Sequence, residues 1–496
     1  MTFGFKSAAH GALSMVVAQG IIAAAQIIYA AVSSRSFSST TFGGFAAAIS
    51  LQGLISLVTT SGLPSFVFRS EFVGSADRIF LRQTAACAGL LGALLYGAIS
   101  LIWLPIFGPS GGEFTPLMML SQFFAALAGV ESAIMRRESH PVRDAVALGS
   151  ASVGGVLIGL GLVLTLKSSW VLAASTVLIP VLLWAFSFGM RSRVAGSRSS
   201  VSARSITASQ VLSYAVIVTR QNIGFFGIQQ SPIWGLGLFA GSAPLGEYSR
   251  AATMTNTSFN ALSAALLRGS QAQWRHLATR EDFLRRLREV LAISLCAAFT
   301  PFAVLAVVGH DLLLIWLGDT WTDAADVVWI LACATAAQVV FTVAANAAEL
   351  RAMFSEVRTA QLWMLGGLVV PLIGLAVFRQ LEWAGIAALA SQATGLIYLL
   401  LALADRARRG MLLSLALRQV VVSGIVALFA GAVLCMVNGL GWRFLFGGRV
   451  TAICTALLVA VVVALVTLPL SPAHQVLLVR SRRYAAIWRS IHRLGK

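Results

Sequence analysis

Apolar runs of about 20 residues recur from one end of the 496-residue chain to the other. A helix of that length is long enough to cross a hydrocarbon core about 30 Å thick. Only 11% of the residues are charged, whereas soluble domains carry roughly 25%. The sequence therefore predicts an all-α polytopic membrane protein.

Fourteen runs fit a membrane-spanning helix, and the connections between them are short. The predicted spans are residues 11–33, 41–62, 83–105, 114–134, 145–166, 170–189, 209–238, 244–267, 289–309, 324–348, 360–378, 383–404, 412–437 and 450–470. Each hydrophilic stretch is far shorter than the roughly 50 residues that a separate soluble domain needs. Any chemistry is therefore expected within or at the bilayer.

Most Lys and Arg residues fall in the terminal segments and in every second loop. The remaining loops hold only Arg35, Lys167, Arg379, Arg443 and Arg449. Because Lys and Arg near span ends are retained in the cytoplasm, we predict that both termini are cytoplasmic. A basic bias on cytoplasmic loops is common to most bacterial inner-membrane proteins, and we expect the chain to be one of them. Topology and contact with anionic membrane lipids explain the net charge of +18, so no nucleic-acid partner is expected.

Features of the first half of the chain recur in the second half at similar offsets. The matching pairs are Phe42-Gly43 with Leu245-Gly246, Trp103-Leu104 with Trp316-Leu317, and Arg136 and Arg143 with Arg351 and Arg358. Six spans in each half give parallel repeats, as in transporters whose two lobes rock about a central cavity. An ancient duplication in a channel or an enzyme is the alternative.

The repeat predicts the domain organisation. We expect an N-terminal lobe over residues 1–190, a basic cytoplasmic linker over 191–208 and a C-terminal lobe over 209–404. Two further spans follow in residues 405–470. The tail, residues 471–496, alternates basic and apolar side chains with helical spacing, which is typical of a helix that lies on the inner leaflet.

The seventh predicted span carries a permanent cation, Arg220, followed by Gln221 and Asn222. An arginine at the centre of a span costs about 2.5 to 3.5 kcal/mol on insertion scales, so it should face protein or water. No acid lies within one helical turn of Arg220. The favoured interpretation is therefore that Arg220 binds an anion.

Other spans carry further polar side chains that could share a cavity with Arg220. These are Gln19, Gln26 and Arg35 in or near span 1, Gln52 in span 2, and Arg250 and Asn260 in span 8. Structural interpretations stay open, because Arg35 can snorkel to the interface and Arg250 can pair with Glu247. Gln, Ser and Thr stripes also join helices to one another. Glu131 in span 4 is a candidate for coupling to H⁺ or Na⁺.

The stretch SSTTFGGFAAAISLQGLISLVTTSGLPSFVFRSE, residues 38–71, resembles the first-hairpin signature of a transporter family. That family is the polysaccharide or O-antigen flippases of the multidrug/oligosaccharidyl-lipid/polysaccharide (MOP) exporter superfamily. The signature positions are Arg35, Phe42, Gly43, Phe45, Gly62 and Arg69. Leu245, Gly246, Tyr248, Ser249 and Arg250 resemble the family's second-half L-G-x-Y-S-R. The resemblance covers about the first 400 residues.

The resemblance implies a transporter that moves undecaprenyl-diphosphate-linked oligosaccharide to the outer leaflet for surface polysaccharide biosynthesis. It implies that spans 1, 2, 7 and 8 line the interface between the lobes. Arg220, Arg250 and Arg35 would then hold the diphosphate through charge-assisted hydrogen bonds. The amides, Gln19, Gln26, Gln52, Gln221, Asn222 and Asn260, would serve the sugars. We expect a monomer with no cofactor, and polysaccharide polymerase or export machinery as protein partners.

Functions from other classes are weighed against this one. A membrane glycosyltransferase or ligase would be expected to show paired acids in an outer loop, whereas Asp319, Asp323 and Asp326 fit a solvated turn, so neither a catalytic nor a metal site is expected. An ATP-driven exporter would need GxxxxGK[ST], which is absent from the sequence. A multidrug cation antiporter and a lipid II flippase of the same superfamily remain alternatives.

Overall fold

The computed structural model describes residues 20–60, 62–69, 75–137, 141–192, 206–274, 279–404, 409–439 and 449–480. Within these ranges the chain forms helices joined by short turns, with no β-strand. The all-α prediction is confirmed. Gln19, most of the predicted linker and the end of the predicted tail lie outside the described residues.

The helices follow one another with few intervening residues. They are α1 (residues 20–36), α2 (Ser39–Thr59), α3 (Gly62–Arg69), α4 (Ser75–Ile106), α5 (Thr115–Arg137), α6 (Pro141–Leu166), α7 (Ala174–Ser192), α8 (Ala208–Phe239), α9 (Ser242–Trp274), α10 (Arg280–Leu317), α11 (Thr322–Glu349), α12 (Phe354–Phe378), α13 (Leu381–Leu403), α14 (Arg409–Gly439), α15 (Arg449–Thr467) and α16 (Pro472–Arg480). Short 3-10 segments precede α5 and α7.

In the part of the chain that the structure describes, 12 helical segments are long and apolar enough to cross a membrane. They correspond to all but the first and eighth of the fourteen predicted spans. The first, α1, is described only from residue 20. The eighth, α9, has 33 residues but is more polar than the others. The chain is a multi-pass membrane protein.

The helices form two compact units, residues 1–249 and residues 250–496. The first unit contains α1 to α8 and the first turns of α9, and the second contains the rest. The sequence repeat places α8 with the second half of the chain, whereas its contacts place it with the first unit. The reason is visible in the packing of α8 on α2, which is described below.

Close packing at the start of α2 depends on two glycines. A Cβ atom at Gly43 would lie 1.8 Å from the carbonyl oxygen of Ser242, and one at Gly246 would lie 1.8 Å from that of Ser39. The contact is reciprocal. Gly43 lies one turn after Ser39, and Gly246 lies one turn after Ser242. Only a residue without a side chain fits at either position.

Buried acids at the opposite end of the first unit are satisfied by neighbouring groups. Asp77 is fully buried and accepts a hydrogen bond from the backbone N–H of Ile206 at 3.0 Å. Asp144, also buried, accepts from the Ser132 hydroxyl at 2.5 Å and forms an ion pair with Arg136 at 3.2 Å. Such partners offset the cost of removing a carboxylate from water.

The second unit is built around α11, most of whose side chains are buried. Apolar residues of α10, α14 and α15, among them Val308, Val426 and Ala456, form a separate core cluster. Beside it the buried Gln419 amide donates to Thr300 at 3.1 Å and accepts from Ser471 at 2.8 Å. These hydrogen bonds join α14 to α10 and to the segment that leads into α16.

Candidate functional site

The start of α8 is fixed by side-chain hydrogen bonds. The Thr207 hydroxyl accepts from the backbone N–H of Gln210 at 3.4 Å, and the Gln210 side chain accepts from the Thr207 N–H at 3.0 Å. This reciprocal arrangement satisfies two N–H groups that a helix start leaves without partners. The Ile206 N–H is held by Asp77, so α8 begins at a defined point on the first unit.

Further along, α8 is attached to α2. The Thr219 hydroxyl donates to the carbonyl of Leu57 at 3.2 Å, and the Trp234 indole N–H donates to the Ser50 hydroxyl at 2.7 Å. Between these two hydrogen bonds, Gly53 of α2 faces the ring of Phe226 at a distance that leaves little space for a side chain. These contacts fix the rotation of α8 about its own axis.

Arg220 directly follows Thr219, whose hydroxyl attaches α8 to α2. At 1.5 Å per residue the Cα atom of Arg220 is about 18 Å along α8, which is about 48 Å long. Arg220 therefore lies about 6 Å before the midpoint of the helix. Its side chain is exposed. Among the described residues no acid forms an ion pair with it and no acceptor hydrogen-bonds to it. The cation is therefore available to a ligand at mid-helix depth.

The two residues after Arg220 are also exposed. The Asn222 side chain donates to the carbonyl of Val218 at 2.9 Å, one turn earlier on the same helix. Gln221 has no hydrogen-bond partner within the described ranges. The predicted roles of both amides in sugar binding stay predictions.

The predicted residues of α1 and α2 differ in their surroundings. Gln26 and Arg35 are exposed, with Arg35 at the end of α1. Gln52 of α2 donates to the Ser121 hydroxyl at 2.8 Å, and that hydroxyl donates to the carbonyl of Thr176 at 2.8 Å. The side-chain NH₂ group of Gln52 thus joins α2 to α5 and, through Ser121, to α7. The side-chain oxygen of Gln52 can accept a hydrogen bond from another partner.

The remaining predicted ligands, Arg250 and Asn260, belong to the second unit. Arg250 is half-buried on α9, and Asn260 is exposed about 15 Å further along the same helix at 1.5 Å per residue. Glu247, considered as a structural partner of Arg250, is buried one turn before it. The helical spacing puts Arg250 and Asn260 within about 80° of each other around α9.

Glu131, the candidate for coupling to H⁺ or Na⁺, forms an ion pair with Arg82 in the structure. Its carboxylate is 2% exposed and forms a two-point ion pair with Arg82, in which Nη2 donates to Oε2 at 3.1 Å and Nε donates to Oε1. The Arg82 guanidinium also lies over the Phe188 ring, 5.1 Å from its centroid. The pair joins α4 to α5, and a role for Glu131 in ion coupling stays a prediction.

We expect Arg82→Ala to destabilise the protein by about 3 kcal/mol, because it removes the two-point ion pair of a buried carboxylate. The double variant Arg82→Ala, Glu131→Gln should recover most of that loss, since the amide carries no charge. The thermal midpoint of the detergent-purified protein measures both effects. Equal midpoints for the single and double variants would contradict a buried ionic pair.

A metal site is not formed by the described residues, among which no three His, Cys, Asp or Glu side chains cluster as ligands. The described buried acids of the first unit, Asp77, Glu131, Asp144 and Glu247, all have partners. The exposed charge at mid-helix depth in α8 is the cation of Arg220. In this unit the site geometry favours an anionic ligand.

A family model described as polysaccharide biosynthesis protein matches residues 32–326, which is more than half of the chain. The chain belongs to this family. The matched residues include every predicted ligand except Gln19 and Gln26, and they include both glycines of the α2–α9 contact. The predicted membership of the polysaccharide flippase family is confirmed.

Solved structures share the fold of this family member. A lipid II flippase, MurJ, in an inward closed conformation aligns with a TM-score of 0.69 and 11% identity over 91% of this chain and 97% of that one. A MATE protein in complex with MaL6 aligns with a TM-score of 0.50 and 13% identity over 82% and 97%. No curated protein sequence matches the chain.

Two residues that bear on the candidate site in this family member were missed in the sequence. Asp77 fixes the start of α8, but its partner is a backbone N–H 129 residues away, which no local pattern reveals. Asn256 lies one turn before Asn260 on α9 and is also exposed. The spacing of four between the two amides is the signal that could have identified it.

Proposed function

We propose that the protein is a flippase for polyprenyl-diphosphate-linked oligosaccharide. It would carry the lipid's head group from the cytoplasmic to the outer leaflet of the bacterial inner membrane by alternating access. The product would feed the synthesis of a surface polysaccharide. Family membership supports a role in polysaccharide biosynthesis, and the fold supports transport rather than catalysis.

The observation that carries this proposal is the state of Arg220. A guanidinium near the middle of a membrane-crossing helix is costly unless it meets water or an anion. It is exposed and has no acidic partner in the described part of the chain. A lipid diphosphate offers phosphate oxygens that suit the planar fork of a guanidinium.

The same observation argues against the antiporter alternative. A multidrug cation antiporter needs acidic or aromatic groups accessible to a cationic drug. In the first unit the buried acids Glu131, Asp144 and Asp77 already contact Arg82, Arg136, Ser132 or a backbone N–H, and the buried Glu247 also has a partner. An exposed arginine would repel a cationic substrate, so the charge distribution favours an anionic one.

In the proposed cycle the head group enters from the cytoplasm and Arg220 binds the diphosphate, with Arg250 and Arg35 as further cations. A change of conformation then opens the site to the outside. The prenyl chain stays in the lipid. Both termini remain in the cytoplasm, and coupling to H⁺ or Na⁺ is the expected energy source.

Deletion of the gene tests this function. We expect a lipid-linked oligosaccharide to accumulate in the inner leaflet, because synthesis of the lipid-linked unit continues while its export stops. Mass spectrometry of extracted lipids identifies the glycan. Accumulation of lipid II would instead indicate a lipid II flippase, and heightened drug sensitivity without any accumulating lipid would indicate the antiporter.

A further inference from the structure

The polarity of α9 calls for a physical explanation. α8 and α10, its neighbours in sequence, are both apolar enough to cross a membrane, whereas α9 is not among the helices that meet this criterion. The distribution of Lys and Arg places the starts of α8 and α10 on the same, cytoplasmic side. α9 must therefore cross the bilayer, and with 33 residues it is about 50 Å long.

In its first turns α9 packs on the side of Ala251 and Thr255, and its two exposed asparagines lie on another side of the helix. Ala251 and Thr255 are buried, with 0% and 2% of their surface exposed. At 100° per residue Asn260 lies about 180° from Ala251, and Asn256 about 140°. Both asparagines are exposed, and Thr253 lies about 20° from Asn260 around the helix. Asn256 and Asn260 thus point away from the side of α9 on which Ala251 and Thr255 are packed.

Two hydroxyl groups near the centre of α9 donate hydrogen bonds to carbonyls of their own helix, whereas the side chains of Asn256 and Asn260 do not. The Thr257 hydroxyl donates to the carbonyl of Thr253 at 2.9 Å, and that of Ser258 to Met254 at 3.5 Å. Asn256 and Asn260 have no hydrogen-bond partner among the described residues.

An amide without a partner is costly in a hydrocarbon environment, where each polar group must be hydrogen-bonded. The midpoint of α9 is at about residue 258, so Asn256 and Asn260 flank the centre of the helix and are separated by a rise of about 6 Å. At that depth the two amides require water or the polar groups of a solute as partners.

We propose that Asn256 and Asn260 bind the sugar portion of the transported lipid, separately from the arginines that bind its diphosphate. Each amide offers both a donor and an acceptor, which matches adjacent hydroxyl groups on a pyranose ring. The amides are uncharged, so they discriminate between glycans without holding the phosphates. This inference rests on the proposed function and assigns to α9 the recognition of the glycan.

The test compares two lipids on the full-length, detergent-purified protein by native mass spectrometry. One probe is the lipid-linked oligosaccharide extracted from cells that lack the gene, and the other is undecaprenyl diphosphate without sugar. The double variant Asn256→Ala, Asn260→Ala should weaken binding of the first lipid about tenfold, the effect of losing roughly 1.4 kcal/mol. Binding of the second lipid should change less than about twofold.

Ser258→Ala is the matched control, because Ser258 is exposed on the same turn but lies about 160° around the helix from each asparagine. It should leave both affinities unchanged. A second double variant, Asn256→Gln, Asn260→Gln, keeps the amides and should retain part of the glycan affinity. Replacing exposed Asn by Ala favours the helix, so folding is preserved.

Unchanged binding of the oligosaccharide lipid by the alanine double variant would overturn the inference while leaving the proposed function intact. Equal weakening of both lipids would do the same, because it would indicate a structural role for the asparagines. Failure of the unaltered protein to bind either lipid would overturn the proposed function together with this inference.

Discussion

Arg220→Ala is expected to reduce export of the lipid-linked oligosaccharide by about 100-fold or more, while the protein stays folded in the membrane. The estimate follows from losing two charge-assisted hydrogen bonds, each about 1.5 to 3 kcal/mol. Export by Arg220→Lys should lie between that of Arg220→Ala and that of the unaltered protein, because lysine keeps the charge but lacks the planar guanidinium. Transport into proteoliposomes measures the effect.

Arg285→Ala serves as the control for Arg220. It also removes one positive charge, but its side chain is 72% exposed and forms a surface ion pair with Asp282, which contributes little stability. Export should be unchanged in this variant. Normal export by Arg220→Ala would remove the assigned role in phosphate binding, whatever the control shows.

The second large effect is expected at the reciprocal contact between α2 and α9. Gly43→Ala and Gly246→Ala each place a Cβ atom 1.8 Å from a backbone oxygen, so the helices must separate or strain. We expect each change to cost about 1 to 3 kcal/mol. The thermal midpoint of the purified protein should fall by several degrees.

Two comparisons make this prediction specific. Gly366→Ala in α12 has nothing within 4 Å of the added atom and should be neutral or slightly stabilising, since Ala favours the helix. The double variant Gly43→Ala, Gly246→Ala should cost less than the two single changes together, because both disrupt one contact. Strict additivity would show that the two glycines act independently.

The helices themselves could be predicted from the sequence. The span expected over residues 209–238 is found as α8, Ala208–Phe239, because apolar length and a capping Thr define its start locally. The predicted span over residues 41–62 ends close to the end of α2, but the separate helix α3 that follows the break was missed. Thr60 donates its hydroxyl to the carbonyl of Ser56 at 2.9 Å, and Pro64 lacks the N–H that a continuous helix needs.

The candidate site was only partly predictable. Arg220 was identified because a cation in an apolar run is a local signal with a known cost. The pairing of Glu131 with Arg82, 49 residues apart, depends on which helices are neighbours. Helical periodicity defines a face of each helix, but it contains no information about which other helix packs there.

The packing of α8 also bears on how the chain could have arisen. In the predicted repeat α8 is the first helix of the second half. Its residues Thr219 and Trp234 are nevertheless hydrogen-bonded to α2 of the first unit, and Ile206, just before the helix, is hydrogen-bonded to Asp77 of α4. An ancestor assembled from two separate copies would have had to exchange this helix between subunits. Cutting the present polypeptide before α8 should therefore give fragments that are functional only when they are produced together.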